Sequence, residues 1–173
     1  MKKLLPPLLA LLLLAPSPGL ADDPDPVAPW VGRYAYAGGA EEEQRLRTTI
    51  DTMASRFNLL LRGLARNRLE RNVRAPDRVE IASTEDGIVV AIEGAPGFGD
   101  DAAIEDGALV QRQSNFEGTR TTRFELSEDG LRLTMRIHTV SALLPEDLRY
   151  EITLEREANT LVSDEVPEAG AGG

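Results

Sequence analysis

Apolar and polar residues alternate along the last part of the folded region. From Leu131 to Ile137 every second residue is apolar, and the same period returns from Leu148 to Leu154. A period of two places apolar side chains on one face of a strand and polar side chains on the other. The pattern is typical of antiparallel strands with one covered face and one face exposed to solvent.

The same period marks most of the chain after Pro76. Asp-Gly pairs predict tight turns within residues 84–87, 105–107 and 128–130, and Gly-rich residues 94–101 predict a loop. With the aromatic stretch from Trp30 to Tyr36, we count about eight strands. We therefore expect a mainly β fold with an α insertion: an antiparallel meander forming a barrel or a strongly curved sheet.

Residues 40–72 have a helical period instead. The apolar residues recur at spacings of three and four, which predicts one shared helix face: Leu46, Ile50, Met53, Phe57, Leu60, Leu61 and Leu64. Asn58 and Gly63 interrupt the pattern, so we expect two helices inserted between the first and second strands.

The first 21 residues have the three zones of a cleavable signal peptide. Lys2 and Lys3 precede a short apolar run, and Gly19-Leu20-Ala21 supplies small residues at a cleavage site. The run is too short to span a bilayer. We therefore predict export, with the mature protein beginning near Asp22 in the periplasm or outside the cell, and no integral membrane segment in the mature chain.

Composition divides the rest into one domain with two tails. Residues 22–29 are rich in Pro and Asp and are predicted to be an exposed linker, and residues 158–173 are Gly-rich and acidic and are predicted to be disordered. The predicted domain spans residues 30–157. The 173-residue chain has no cysteine, so this domain must be stabilised by its core without disulfides.

The net charge of the chain argues against one class of partner. Both lysines lie in the leader, so the mature chain carries 17 arginines against 29 acidic residues, a net charge of −12. Such a chain is repelled by nucleic acids, which argues against nucleic-acid binding.

No catalytic, metal-binding or cofactor-binding constellation is evident. His138 is the one histidine and falls on the polar face of a strand, where we interpret it as a surface residue. The acidic residues near positions 100–106 match no calcium-loop spacing and are interpreted as turn residues. We predict no catalytic residue, no metal site and no cofactor, although paired carboxylates leave a carboxylate-dependent enzyme as a third hypothesis.

A cluster of arginines stands out on this acidic chain. Two interpretations are open: recognition of a carboxylate or phosphate head group, or pairing with acids elsewhere and with a helix C-terminus, which we favour. The cluster comprises Arg62, Arg66, Arg68, Arg71, Arg74 and Arg78.

The opening Gly32-Arg33-Tyr34 and the succession of elements resemble the lipocalin and fatty-acid-binding superfamily. More narrowly, the chain is similar to bacterial secreted proteins described as lipocalin-like, through that motif, residues 53–69 and residues 143–156. The resemblance implies a calycin-type barrel with a helix pair after the first strand. It also implies that an arginine late in the barrel, here Arg156, packs across the aromatic residue of the first strand.

Our leading functional hypothesis is a non-enzymatic exported module that binds a small hydrophobic or amphipathic molecule. The ligand would lie between the dry face of the sheet and the helix pair. The predicted lining residues are Met53, Phe57, Leu61, Leu64, Ile88, Val90, Leu133, Met135 and Tyr150, with Arg62 or Arg66 near the mouth. The alternative is an envelope protein with a structural or protein-interaction role, a filled core and no ligand.

Overall fold

The computed structural model describes residues 25–93 and 102–158. The predicted leader, the predicted loop 94–101 and all but the first residue of the predicted C-terminal tail lie outside the described residues. Val27, within the predicted exposed linker, is buried, and its backbone N–H donates a hydrogen bond to the Asp25 carboxylate at 2.9 Å.

Eight strands and two helices make up the described part of the chain. In chain order they are β1 (Gly32–Tyr36), α1 (Gly39–Ser55), α2 (Arg62–Asn72), β2 (Arg78–Thr84), β3 (Gly87–Ile92), β4 (Ala102–Glu105), β5 (Ala108–Asn115), β6 (Gly118–Leu126), β7 (Arg132–Ser141) and β8 (Leu148–Arg156).

The strands form a closed antiparallel barrel in which each strand pairs with its neighbours in sequence. β8 returns to β1 with Tyr34 opposite Arg156 and Tyr36 opposite Leu154. The junction of β3 with β4 is the shortest, with Ile88 opposite Ala102. The predicted mainly β fold, with two helices between the first two strands, is confirmed.

The helix break differs in detail from the predicted apolar face. α1 buries Leu46, Ile50 and Met53, as expected. Leu60, predicted on the same face, is 95% exposed and lies outside both helices. The reason is local: α1 ends at Ser55, and the Asn58 side chain accepts the Leu61 amide at 3.0 Å, which begins a new turn in another direction.

Buried apolar side chains pack together in the interior of the barrel. One layer is continuous across four neighbouring strands, because Leu109, Phe124, Met135 and Ile152 are opposite one another in register and fully buried. Leu131, predicted to share this face, lies before β7 begins and is exposed. The apolar period therefore identifies the inward face of β7 correctly and fails only at Leu131, the residue before the strand.

Trp30 and Arg156 close one end of the barrel, which we call the closed end. The Arg156 guanidinium lies 5.2 Å from the centre of the Tyr34 ring and donates to the Tyr34 hydroxyl at 2.7 Å. That hydroxyl in turn donates to the Trp30 carbonyl at 2.8 Å. Burial raises the pKa of Tyr34, against the opposing charge of Arg156, so the phenol stays a donor. Arg156 thus occupies the place that the resemblance implies for it.

Arg156→Met is expected to lower the free energy of unfolding by about 1.5 kcal/mol, because it removes charge-assisted hydrogen bonds to Tyr34 and to the Pro29 carbonyl. Urea denaturation followed by Trp30 fluorescence measures this loss. Arg132→Met is the matched control, since Arg132 is an exposed residue on the outer face of the barrel. Equal stability of the two variants would contradict the role given to Arg156.

Candidate functional site

The opposite end of the barrel, which we call the mouth, holds a cavity of about 800 Å³. The two helices, the turn between β5 and β6 and the connection between β7 and β8 all lie at this end, because alternate strands of an antiparallel meander turn at the same end. The cavity lies between α2 and strands β5 to β8.

One wall of the cavity is apolar. Phe57 and Leu61 come from the break between the helices and Leu64 from the start of α2, and Leu69 follows in the next turns. Leu144 contributes from the connection between β7 and β8. An apolar molecule in the cavity would contact these side chains.

The facing wall is polar and comes from inward positions of the strands. Gln113, Arg120 and Thr139 lie opposite one another in register on β5, β6 and β7. The next inward row toward the closed end contains Gln111 and Thr122, both buried, so polar groups continue inward along β5 and β6. The cavity is therefore amphipathic, with basic and hydrogen-bonding groups on one side.

Arg120 is the charged group on this wall whose hydrogen bonding is incomplete. Its Nε atom is buried and has no hydrogen-bond partner among the described residues. The Arg120 charge also reaches Tyr150: burial raises the pKa of the Tyr150 phenol, and Arg120 opposes that rise. The two side chains thus line the same cavity.

Two contacts hold α2 across the mouth. The Arg68 guanidinium lies 2.6 Å from the Glu117 carboxylate, in the turn between β5 and β6. The Tyr150 hydroxyl donates to the Asn72 carbonyl, at the end of α2, at 2.9 Å. α2 is therefore anchored to the barrel on both sides of the cavity.

The residues predicted to line a ligand site fall into two groups in the structure, one beside the cavity and one in the core. Phe57, Leu61, Leu64 and Tyr150 surround the cavity. The others with apolar side chains belong to the packed core or lie against it: Met53, Val90, Leu133, Met135 and Ile88.

The two arginines predicted near the mouth do not line the cavity, and each contacts groups within the helix pair. Arg62 donates to the Ser55 carbonyl at 3.0 Å. Arg66 pairs with Asp51 at 2.6 Å and with Glu70 at 3.1 Å. Arg68 and Arg78 also pair with carboxylates, which agrees with the favoured interpretation of the arginine cluster for these three arginines.

Sequence reasoning did not single out Arg120. The signal was present, because Phe124 and Leu126 define the inward parity of β6 and Arg120 has the same parity. Extending that parity toward the N-terminus of the strand places an arginine inside the barrel.

His138 lies on the outside of the barrel. Its Nε2 is 2.9 Å from an Asp147 carboxylate oxygen, and this hydrogen bond lowers the pKa of Asp147. Within residues 25–93 and 102–158 no group of three or more His, Asp or Glu side chains is arranged to hold a metal ion. Neither helix in these ranges has the length and apolarity needed to cross a membrane.

The barrel, the helix pair and the Arg156–Tyr34 contact agree with what the resemblance implies for the fold. They do not identify a family. The assignment to lipocalin-like secreted proteins stays a prediction, since no family model, curated protein or solved structure matches this chain.

Proposed function

We propose that this protein binds a small amphipathic molecule with an anionic head group in the cavity at the mouth of the barrel. The observation that carries the proposal is Arg120, an inward-facing arginine with a buried Nε that lacks a hydrogen-bond partner in the described part of the chain. A carboxylate or a similar anion is the head group that such a side chain recognises.

The energetic reason is the cost of burying a charge. Removing a guanidinium from water is unfavourable unless the charge is paired and its N–H groups are hydrogen-bonded. Arg120 retains an unused donor, its buried Nε, in a cavity with room for a ligand. An anion placed there would accept from Nε and offset the cost of desolvation.

The remaining walls suit the rest of an amphipathic molecule. Leu64, Leu69 and Leu144 offer apolar surface opposite the polar strands. A volume near 800 Å³ falls in the range of about 300–1,000 Å³ that is typical of small-molecule sites. These features favour a fatty acid or another acid with an apolar chain over a purely polar ligand.

The packed apolar core is the observation that favours the alternative, a structural domain without a ligand. Tyr34, Phe124 and Met135 are fully buried members of that core. A ligand would therefore occupy the cavity at the mouth, and the alternative predicts that this cavity stays without an organic ligand in the native protein.

Arg120→Met is expected to weaken binding of a fluorescent fatty acid about tenfold or more, since a hydrogen bond to a charged group contributes about 1.5–3 kcal/mol. Binding of the corresponding fatty alcohol should change little, because the alcohol has no charge for Arg120 to pair with. Fluorescence titration of both probes measures the two affinities.

Arg123→Met serves as the control, because Arg123 lies on the outward parity of the same strand and pairs with Glu125. Loss of acid binding in both variants, or in neither, would refute the role of Arg120. Native mass spectrometry of protein recovered from an exporting host tests the wider proposal. An extractable acidic adduct supports it, and a bare mass that lipid mixtures leave unchanged favours the structural alternative.

A further inference from the structure

The arginines on the cavity wall differ in whether a carboxylate neutralises them. In the described part of the chain, four arginines line the cavity: Arg68, Arg71, Arg112 and Arg120. Arg68 pairs with Glu117 at 2.6 Å. Arg112 pairs with Glu105. The charges of these two arginines are therefore compensated within the protein.

The other two arginines, Arg71 and Arg120, have no carboxylate partner among residues 25–93 and 102–158. Arg120 belongs to the strand wall of the cavity, and Arg71 lies in the last turn of α2 on the facing wall. An occupant with a single negative charge would neutralise one guanidinium and leave the other unpaired. The cavity therefore matches an occupant that carries two negative charges.

Contacts across the cavity place the two arginines toward the same end of it. Asn72, which follows Arg71, accepts a hydrogen bond from the Tyr150 hydroxyl through its backbone carbonyl at 2.9 Å. Burial raises the pKa of Tyr150, and the charge of Arg120 opposes that rise, so Arg120 lies within electrostatic reach of the same phenol. The end of α2 and the charged part of the strand wall thus approach each other at Tyr150.

The opposite end of α2 presents apolar side chains to the cavity. Leu61 and Leu64 line it at the start of the helix, and Arg71 lines it at the end. Seven residues separate Leu64 from Arg71, which corresponds to about 10 Å along a helix axis. An amphiphile lying along α2 would therefore place its head group near the two arginines and its apolar chain against the leucines.

We propose that the head group is dianionic and that the cavity selects phosphate monoesters of apolar alcohols, a step that rests on the proposed function because it assumes an anion at Arg120. A phosphate monoester carries close to two negative charges at neutral pH and three strong acceptor oxygens. These oxygens point in different directions, so one head group can accept hydrogen bonds from arginines on two facing walls. A carboxylate offers one charge and two oxygens in a single plane. Arg71 is thus the residue that determines specificity for the second charge.

The position of Arg71 at a helix C-terminus does not oppose an anion there. The last carbonyls of a helix carry about half a negative charge in total. The Tyr150 hydroxyl already donates to one of them, that of Asn72, and the Arg71 guanidinium adds a full positive charge beside them. The local field at this end of the cavity is therefore positive.

Isothermal titration of the protein recovered from an exporting host tests the proposal with amphiphiles of equal chain length below their micelle concentrations. Dodecyl phosphate is expected to bind about fivefold or more tightly than dodecanoate, because it adds a second charge-assisted contact. Dodecyl methyl phosphate has the same tetrahedral centre but a single charge. It should bind no more tightly than dodecanoate, which separates the effect of charge from that of shape.

Arg71→Met is expected to abolish the preference for dodecyl phosphate while changing the affinity for dodecanoate by less than about twofold. Arg66→Met is the matched control, because it removes the same charge from the same helix, but Arg66 pairs with Asp51 and does not line the cavity. Both arginines are exposed, so both variants should fold normally. Arg120→Met should weaken the binding of both amphiphiles.

Three results would overturn the proposal: equal affinities of the unmodified protein for dodecyl phosphate and dodecanoate, a phosphate preference that Arg71→Met retains, and a preference that Arg66→Met also abolishes. In each case, dodecanoate binding that Arg120→Met weakens would leave the proposed function intact. Failure of the proposed function differs, because neither amphiphile would then bind, or Arg120→Met would leave the binding of both unchanged.

Discussion

Glu42→Ala is expected to lower the free energy of unfolding by about 2–4 kcal/mol. Glu42 lies in the first turn of α1 and is only 1% exposed, although it carries an ionisable side chain. Its carboxylate accepts the Thr153 backbone amide at 3.0 Å and the Thr153 hydroxyl at 2.7 Å. The substitution leaves both donors without their partner at a partly buried position.

The position of Thr153 in the barrel explains why these contacts are needed. β1 is short, and its last pair with β8 joins Tyr36 to Leu154. If β1 continued beyond that pair, one of its carbonyl groups would accept a hydrogen bond from the Thr153 amide. Because β1 ends there, this amide needs another acceptor. The Glu42 carboxylate is that acceptor. The first turn of α1 therefore satisfies the edge of β8 at the point where β1 ends.

The backbone leaves space for this arrangement at Gly38. A Cβ atom at position 38 would lie 2.1 Å from Glu42 Oε1, so a larger residue there would displace the carboxylate. Glu41→Ala is the matched control, because Glu41 is in the same helical turn and exposed, and its loss should cost less than about 0.5 kcal/mol. Urea denaturation compares the variants, and similar midpoints for Glu42→Ala and Glu41→Ala would show that the buried carboxylate adds nothing.

Much of the fold follows from local patterns in the sequence. Alternation predicted the inward faces of β7 and β8, and the helical period predicted a helix pair. The turn at Asp106-Gly107 is confirmed with φ values of 49° and 72°, which are typical of the two-residue turn that Asp-Gly favours between antiparallel strands.

The position of the cavity could not be predicted in the same way. Inward parity says that Met135 and Tyr150 point into the barrel, but not how far each lies from the mouth. That depth depends on the stagger between strands and on where α2 crosses the mouth, and both depend on contacts distant in sequence, such as Arg68 with Glu117. Parity alone therefore could not separate residues of the packed core from those beside the cavity.

The break between the helices illustrates the same limit. The apolar spacing continues through Leu60 and Leu64, and a straight helix would bury both. The change of direction after Ser55 instead leaves them exposed at the mouth. Residues whose spacing predicts a buried helix face are therefore exposed at this position.

Gly118→Ala is expected to destabilise the protein by about 3 kcal/mol, combining overpacking with backbone strain. Gly118 begins β6 with φ at +152°, a conformation that residues with a side chain rarely adopt. A Cβ atom there would lie 2.1 Å from the Val140 carbonyl oxygen and 2.8 Å from the Ser141 Cα. Both are backbone atoms, so no change of rotamer relieves the contact, and β6 and β7 must separate at the mouth.

Substitutions at two other glycines measure the contributions of backbone strain and of overpacking separately. Gly107→Ala introduces strain alone, because φ is +72° but no atom lies within 4 Å of the added Cβ, and we expect a cost of about 1–2 kcal/mol. Gly63→Ala adds neither strain nor contact in α2 and should be neutral or stabilise by up to about 1 kcal/mol. Thermal and urea unfolding of the three variants should therefore rank Gly118→Ala as least stable and Gly63→Ala as most stable. Equal losses for Gly118→Ala and Gly107→Ala would show that β7 does not approach the start of β6 this closely, because the contact with Val140 would then add nothing to the strain.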